Sequence, residues 1–204
     1  MAYFPMFIEL EGKTVLIVGG GQVARRKLEK LLPYGAHITV AAPHIDSALI
    51  KLGADNYITA PFSADMLNGV DIVIAATDDR AVNREISALC RERKIPVNVV
   101  DDKELCSFIF PALVKRGNMS IGISTGGASP SAAIWAKERI SAILPDELDS
   151  ILIYLESLRP VIKDLTESEA ERQTLFKALF SACLDLGRHL TAEELMSITE
   201  EVKE

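Results

Sequence analysis

The sequence predicts an α/β fold in which helices cover both faces of a parallel sheet. Short apolar segments alternate with stretches of helical spacing through the first half of the 204-residue chain. Hydrophobic residues make up 49% of the chain, enough for a substantial core without disulfides or metal ions. The first apolar segment runs unbroken from Thr14 to Val18, which is typical of a strand buried on both faces.

Five strands are expected in this first half of the chain. They are predicted at residues 14–18, 37–43, 56–62, 70–77 and 95–101. Helices are predicted from the glycines to Leu32, where Pro33 and Gly35 end the first one, and at residues 45–52, 64–68 and 80–94. This alternation implies right-handed βαβ crossovers, and ligands of such sheets bind beyond the carboxyl ends of the strands.

The glycines after the first strand match a phosphate-binding turn. In the pattern G-x-G-x-x-A, Gly19 allows a tight turn, Gly21 lets the backbone approach a pyrophosphate, and Ala24 permits close helix–strand packing. The free N–H groups that open the helix, at Gln22, Val23 and Ala24, would bind phosphate with the help of the helix dipole. These five residues are therefore predicted to bind a dinucleotide in a Rossmann-like domain; the alternative is a tight turn without a ligand.

The end of the second strand lacks the acidic residue that usually binds the ribose of NAD. The strand ends at Ala42 and Pro43, which are predicted to contact the cofactor, and the nearest acid is Asp46. No arginine replaces the missing acid, so this position does not decide between NAD and NADP.

Polar residues also follow the fourth strand. Thr77 and Asp78 are predicted to contact the cofactor because they lie at the carboxyl end of that strand. Either Asp78 or Asp79 could instead be the N-cap of the next helix, and the sequence leaves both interpretations open.

A segment of two strands and one helix follows the nucleotide-binding pattern. The strands are predicted at residues 108–115 and 119–125, and the helix begins with Ser129 as N-cap and Pro130 at its first position. Since these elements cannot bury their apolar faces alone, we expect the segment to pair with its copy in an isologous homodimer.

The remainder of the chain is predicted to be helical. Capping boxes are predicted from Thr166 to Glu169 and from Thr191 to Glu194, each opening a helix. The predicted domains are a nucleotide-binding domain at 1–112, a dimerisation and substrate segment at 113–145 and a helical domain at 146–204.

Five segments follow one another along the chain: GGGQVARRK, AATDDRAVN, NVVDD, CSFIFPALVKRGNMSIGISTGGASP and WAKERI. In this order they resemble the precorrin-2 dehydrogenase and sirohydrochlorin ferrochelatase family, which also forms the N-terminal unit of siroheme synthases. The resemblance extends from Phe4 to about Pro145 and implies NAD-dependent oxidation of precorrin-2 to sirohydrochlorin in siroheme or cobalamin biosynthesis. As an alternative, some members also insert iron or cobalt. Because the sequence ends at Glu204 without a methyltransferase half, the chain resembles the stand-alone form.

The same resemblance places the catalytic carboxylate at Asp101, directly after the fifth strand. Oxidation of the macrocycle requires loss of a hydride to the nicotinamide and of a proton, which a carboxylate could accept. Asp102 is the second choice for this role. The structural alternative is that the pair of aspartates caps a turn.

The segment after the second hairpin strand is predicted to contact the substrate. Its glycine turn could present N–H groups to a carboxylate of the tetrapyrrole, and nearby cations would add positive charge to a chain of net charge −7. The predicted substrate-binding residues are Ser124, Thr125, Gly126, Gly127, Lys115 and Arg116. Thr125 stands where some fused synthases carry a phosphorylated serine, and the alternative is a turn that only requires positive φ.

Composition excludes several other classes. The net charge of −7 disfavours nucleic-acid binding, and no apolar run approaches the ~20 residues that span a bilayer. No signal peptide is apparent and three widely spaced cysteines suggest reduced thiols, so a soluble, cytoplasmic protein is expected.

The three histidines, at positions 37, 44 and 189, are too scattered for a resident metal site, and none is predicted. Iron or cobalt would therefore be a transient substrate. A non-catalytic NAD-sensing module is the remaining alternative, although such modules usually keep the ribose-binding acid.

Overall fold

A five-stranded parallel sheet forms the centre of the first of two units, Phe4–Phe110, in a computed structural model that describes residues 3–203. The strands are β1 (Thr14–Val18), β2 (His37–Ala41), β3 (Asn56–Ile58), β4 (Ile72–Ala75) and β5 (Val97–Val99). Their order in the sheet is β3-β2-β1-β4-β5. The direction of the crossovers therefore changes between β1 and β4, where sheets of this kind bind ligands. The predicted fold class is confirmed.

Helices connect the strands much as the sequence predicts. They are α1 (Gln22–Leu31), α2 (Ser47–Ile50) and α3 (Arg80–Glu92), with 3₁₀ turns at Leu32–Tyr34 and Ala64–Leu67. Pro33 is the second residue of the first 3₁₀ turn, and Gly35 ends this turn in the left-handed region at φ 70°. The stretch predicted as a helix at 64–68 forms only one of these short turns.

Two apolar clusters explain why β1 is an unbroken apolar run. Val15 and Ile17 pack with residues of α1 on one face of the sheet, whereas Leu16 and Val18 pack with residues of α3 on the other. Successive side chains of a strand point to opposite faces, so a strand covered on both faces must be apolar at every position.

The second unit begins at Pro111 and opens with an antiparallel hairpin of β6 (Ala112–Arg116) and β7 (Met119–Ile123). The predicted strand at 108–115 therefore starts later than expected. Phe108 and Phe110 instead pack against the core of the first unit, and Pro111 has no N–H to donate to a ladder. The helix α4 (Pro130–Ile143) begins as predicted, because Ser129 Oγ accepts a hydrogen bond from Ala132 N at 3.1 Å.

Three further helices complete this unit. They are α5 (Leu148–Leu165), α6 (Glu169–Leu186) and α7 (Ala192–Lys203), and they share one apolar core. None of the helices formed by residues 3–203 combines the length and the apolar character needed to cross a bilayer.

The predicted capping box at Thr166–Glu169 is wrong in register. Thr166 instead donates to the Ile162 carbonyl at 2.8 Å, so it completes the end of α5. The N-cap of α6 is Ser168, which accepts from Glu171 N at 3.1 Å.

The capping box at Thr191–Glu194 is confirmed. Thr191 Oγ1 accepts from Glu194 N at 3.3 Å, and the Glu194 carboxylate accepts from Thr191 N at 2.7 Å. The same carboxylate pairs with Arg188 at 2.8 Å, and this partner is the main reason that the pKa of Glu194 falls to about 2.

Candidate active site

The turn between β1 and α1 requires glycine because it runs against backbone atoms. A Cβ on Gly19, whose φ is 135°, would stand 2.3 Å from the Ala76 carbonyl oxygen at the end of β4. A Cβ on Gly20 would stand 1.9 Å from the carbonyl oxygen of His44. The Gly20 carbonyl in turn accepts from Asp46 N at 2.9 Å, so the turn packs closely on the loop after β2. The pattern G-x-G-x-x-A gives Gly20 no role, although the run of three glycines could have indicated that this position also excludes a side chain.

Gly21 differs from its two neighbours because the space beside it is open. Its φ of −97° is accessible to any residue, and no heavy atom lies within 4 Å of the position that a Cβ would occupy. Gly21 is the N-cap of α1, and no side chain caps the helix there. No side chain competes for the first N–H groups of α1, and the space beside Gly21 is open, as a phosphate site at a helix start requires.

The remaining glycine-loop residue predicted to bind cofactor, Ala24, is fully buried. It packs in the cluster that includes Leu28 and β1, which is the close helix–strand contact expected of this position. Its contribution to the site is therefore packing, together with its backbone N–H.

The loop after β2 contains the predicted contacts Ala42 and Pro43. Ala42 is buried and donates its N–H to the Ile58 carbonyl at 3.0 Å, whereas Pro43 is exposed. Asp46, the nearest acid, accepts from Ala48 N at 2.9 Å as the N-cap of α2.

The structure separates the roles of the residues after β4. Asp79 is the N-cap of α3, because its carboxylate accepts from Ala81 N at 2.8 Å. Asp78 is exposed and is not used for this cap. Thr77 Oγ1 donates to Asn83 Oδ1 of α3 at 2.8 Å, so the hydroxyl that was predicted to contact the cofactor already has a partner within the protein.

Asp101 lies two residues beyond β5 in an unusual backbone conformation. Its φ is 60°, in the left-handed region that is uncommon for a non-glycine residue, although aspartate and asparagine adopt it more readily than most. Such strain persists only where the surrounding structure holds it. Asp101 is exposed and its side chain lines a cavity, so the turn presents a carboxylate at the carboxyl edge of the sheet.

Side chains that follow Asp101 hold this turn in place. Cys106 Sγ lies 3.1 Å from Val99 N and 3.3 Å from the Asp102 carbonyl oxygen. Ser107 Oγ accepts from Val97 N at 2.7 Å, which attaches the segment to the start of β5. Burial raises the pKa of the Cys106 thiol, so the group remains a neutral hydrogen-bonding partner. The sequence predicts only that Cys106 is a reduced thiol. Its contacts with Val99 and Asp102, which hold the turn, cannot be inferred from the spacing of residues along the chain.

The cavity beside Asp101 has a volume of about 230 Å³. It is lined by Val23, Arg26, Lys27, Lys30, Val100 and Asp101. Val23 and Asp101 are among the site residues predicted from the sequence, whereas Arg26, Lys27 and Lys30 are not. The helical spacing of residues 23, 26, 27 and 30 was the signal that they share one face.

The predicted substrate-binding turn lies in the second unit and has internal hydrogen bonds. Thr125 Oγ1 accepts from Ser129 N at 3.1 Å and lies 3.0 Å from the Ser129 carbonyl oxygen. Ser124 Oγ accepts from Gly126 N at 3.1 Å. Gly126 and Gly127 have φ values of 64° and 91°, as the alternative interpretation required.

The two predicted cations of the hairpin also have partners within the second unit. Lys115 Nζ donates to the Gly117 carbonyl oxygen. The Arg116 guanidinium lies 3.8 Å from a carboxylate oxygen of Asp146. Their predicted role in substrate binding stays a prediction.

Among the described residues, no cluster of three or more histidine, cysteine or acidic side chains could hold a metal ion.

Residues 6–112 match the family described as "Putative NAD(P)-binding".

Relatives of known name extend the similarity beyond this domain. The siroheme synthase of Neisseria meningitidis serogroup C is 39% identical over 184 residues, covering 89% of this chain and 38% of the relative. The siroheme synthase of a Psychrobacter species is 37% identical over 203 residues, covering 96% of this chain and 42% of the relative. The chain thus spans about two fifths of the length of these curated relatives.

A solved structure covers the whole fold. The protein titled SirC, precorrin-2 dehydrogenase, superposes with a TM-score of 0.68 and 26% identity, covering 98% of this chain and 99% of that one. These similarities confirm the resemblance that the ordered motifs predicted. By its glycine turn, its parallel sheet and the match over residues 6–112, the chain belongs to the family described as putative NAD(P)-binding, and it is similar to part of the siroheme synthases and to SirC.

Proposed function

We propose that this protein oxidises precorrin-2 to sirohydrochlorin with NAD as its cofactor. The observation that carries the proposal is the position of Asp101, a carboxylate on a strained and braced turn at the same edge of the sheet as the open N-terminus of α1. The name of the solved relative, precorrin-2 dehydrogenase, supports this substrate.

Each part of the site has a proposed task. NAD, when bound, accepts the hydride that leaves the macrocycle. The open amides of Gln22 and Val23 bind the pyrophosphate, and the Asp101 carboxylate accepts the proton that the substrate loses. The proposed cofactor contacts are Gly19, Gly21, Gln22, Val23, Ala24, Ala42, Pro43, Thr77 and Asp78. The proposed substrate contacts are Ser124, Thr125, Gly126, Gly127, Lys115 and Arg116.

The proposed organisation of the chain follows from these tasks. A nucleotide-binding domain at 1–112 is followed by a dimerisation and substrate segment at 113–145 and a helical domain at 146–204. Apolar side chains of α4 that are more than half exposed, Ile134, Trp135 and Ile143, support a homodimer through this segment. Three free cysteines support a reducing, cytoplasmic location.

Insertion of iron or cobalt into the product is a second reaction proposed for the same site. The observation that favours it is again the Asp101 carboxylate, because metal insertion needs a base for the pyrrole N–H protons. The metal ion would be a substrate. Formation of the metallated product from sirohydrochlorin and ferrous or cobaltous ion without NAD would support this activity, and an unchanged absorption spectrum would contradict it.

Anaerobic incubation with precorrin-2 and NAD, followed by absorption spectroscopy, tests the main proposal. We expect the spectrum of sirohydrochlorin to appear together with one NADH for each macrocycle oxidised. An NAD-sensing module would bind NAD without this turnover, and that result would contradict the proposal.

The Asp101→Asn variant tests the role of the carboxylate. Asparagine tolerates a positive φ and keeps the size of the side chain but does not accept the proton, so turnover should fall on the order of a hundredfold. The affinity for NAD, measured by calorimetry, should stay within about threefold of the wild-type value. Unchanged turnover in this variant, with a large loss in Asp102→Asn, would transfer the role to Asp102.

A further inference from the structure

Two contacts within the first unit define the position of the Lys27 ammonium. Its Nζ donates to Asn98 Oδ1 at 3.2 Å, and the Asn98 side chain is itself buried and bonded to the Phe108 carbonyl at 3.1 Å. On another side, the same ammonium lies 4.1 Å from the centroid of the Phe110 ring. An amide and an aromatic ring thus fix a lysine that would otherwise be flexible.

These partners leave the charge of Lys27 largely uncompensated. In the described part of the chain, no carboxylate lies within salt-bridge distance of its Nζ. Neutral groups satisfy hydrogen-bonding capacity but do not cancel a charge, and a partly buried cation is stabilised by an anion. The cavity that Lys27 lines is therefore suited to an anionic group.

The charges around this cavity favour an anion beside Asp101. Arg26 and Lys30 line it from α1, and Asp101 lines it from the turn after β5. Three cationic side chains and one carboxylate thus line this cavity in a chain whose net charge is −7. Clustering of this kind concentrates positive potential locally, which attracts an acidic ligand.

We propose that Lys27 binds a carboxylate of the tetrapyrrole substrate and holds the macrocycle beside Asp101. The inference rests on the proposed function, in which the substrate is a polycarboxylate. Lys27 lies six residues beyond Gly21, about 9 Å along the helix axis, so the cofactor phosphates at the N-terminus of α1 are separate from it.

The protonation state of Lys27 supports this role. Burial, with a smaller contribution from the positive charge of Lys30, lowers its pKa from 10.5 to about 8. Arg26 also lowers the pKa, whereas Asp101 and Cys106 raise it. The ammonium that binds an anion is therefore present below about pH 8 and is lost as the pH rises through that value.

Binding of sirohydrochlorin, the proposed product, provides the test. Its affinity is measured by fluorescence titration in the presence of NAD at pH 7 and at pH 9.5. Lys27→Met keeps the apolar stem and removes the charge, so the dissociation constant at pH 7 should rise by about tenfold or more. Lys27→Arg keeps a charge that does not titrate in this range, so its affinity should stay nearly constant between the two pH values while that of the wild type falls.

Two comparisons make the result specific. Lys13→Met removes an exposed lysine next to the start of β1, at the opposite edge of the sheet, and should bind as the wild type does. NAD affinity should also be the same in wild type and Lys27→Met. Wild-type affinity for sirohydrochlorin in Lys27→Met at pH 7, or the same fall with pH in Lys27→Arg as in the wild type, would overturn the inference.

Failure of the proposed function would look different. If the wild-type protein binds NAD but neither binds sirohydrochlorin nor oxidises precorrin-2, the proposed function is wrong and Lys27 has no tetrapyrrole to bind. If the wild type turns over and Lys27→Met shows an unchanged KM and kcat for precorrin-2, only the role of Lys27 is wrong.

Discussion

The glycine turns that lead into α1 and α4 differ in whether a side chain caps the helix that follows. The turn at residues 19–21 leads into α1, whose N-cap is Gly21 and which no side chain caps. The turn at residues 126–127 leads into α4, whose N-cap Ser129 accepts from Ala132 N. In the sequence, both are glycines followed by a helix and both were predicted to bind an anionic group.

The difference teaches that an uncapped helix start is a better indication of an anion site than glycine itself. The first four N–H groups of a helix need hydrogen-bond acceptors. A capping side chain supplies one of these acceptors, so fewer N–H groups remain for an anionic ligand. At α4 this acceptor is a serine, and Thr125 bonds to the backbone of the same serine. At α1 no side chain supplies this acceptor.

The largest expected effect is that of Gly20→Ala. Its methyl group would stand 1.9 Å from the His44 carbonyl oxygen, so the backbone must shift by more than a side-chain rotation allows. We expect a loss of about 3 kcal/mol in the free energy of unfolding, or an NAD affinity lowered about a hundredfold. Denaturant unfolding and calorimetry measure the two quantities.

Gly126→Ala is the matched change in the other turn. Nothing lies within 4 Å of its Cβ position, so its cost is that of a left-handed φ, about 1 kcal/mol, with NAD affinity unchanged. Equal effects of the two substitutions on NAD binding would remove the distinction between the turns.

Gly21→Ser should separate binding from stability. Serine can adopt the φ of −97° and can cap α1 with its own hydroxyl, so the free energy of unfolding should not decrease. The same side chain enters the space beside the first amides, and NAD affinity should fall by about tenfold. A serine variant that binds NAD as tightly as the wild type would show that this helix start is not the phosphate site.

Ser129→Ala is the reverse test, and its expected effect is as small as that of Gly126→Ala. Loss of the N-cap of α4 should lower the free energy of unfolding by about 1 kcal/mol, because Ala132 N loses its acceptor. NAD affinity, measured in parallel by calorimetry, should remain at the wild-type value. A clear loss of NAD binding would connect this turn to the cofactor and contradict the comparison.

The parallel sheet and most helix starts could be predicted because their signals are local and repeated. An unbroken apolar strand, proline and glycine after a helix, and serine before proline each restrict the backbone within a few residues. The capping box of α6 was misplaced by two residues because Thr166 and Ser168 both carry a hydroxyl three residues before a glutamate. Only the geometry distinguishes the residue that ends α5 from the one that begins α6.

The site was harder to predict where it depends on distant contacts. Asp78 and Asp79 are adjacent and chemically identical, so the local sequence pattern does not show that Asp79 is the N-cap of α3. The bracing of the Asp101 turn by Cys106 and the fixing of Lys27 by Asn98 join residues that are not neighbours in sequence. The spacing of residue types along the sequence does not predict contacts of this kind, because they depend on how distant segments fold together.

A crystal structure of the protein with NAD bound tests the central claim most directly. The account predicts that phosphate oxygens of the cofactor lie about 3 Å from the backbone nitrogens of Gln22 and Val23, in the open space beside Gly21. A pyrophosphate bound anywhere else, with that space left to solvent, would contradict it.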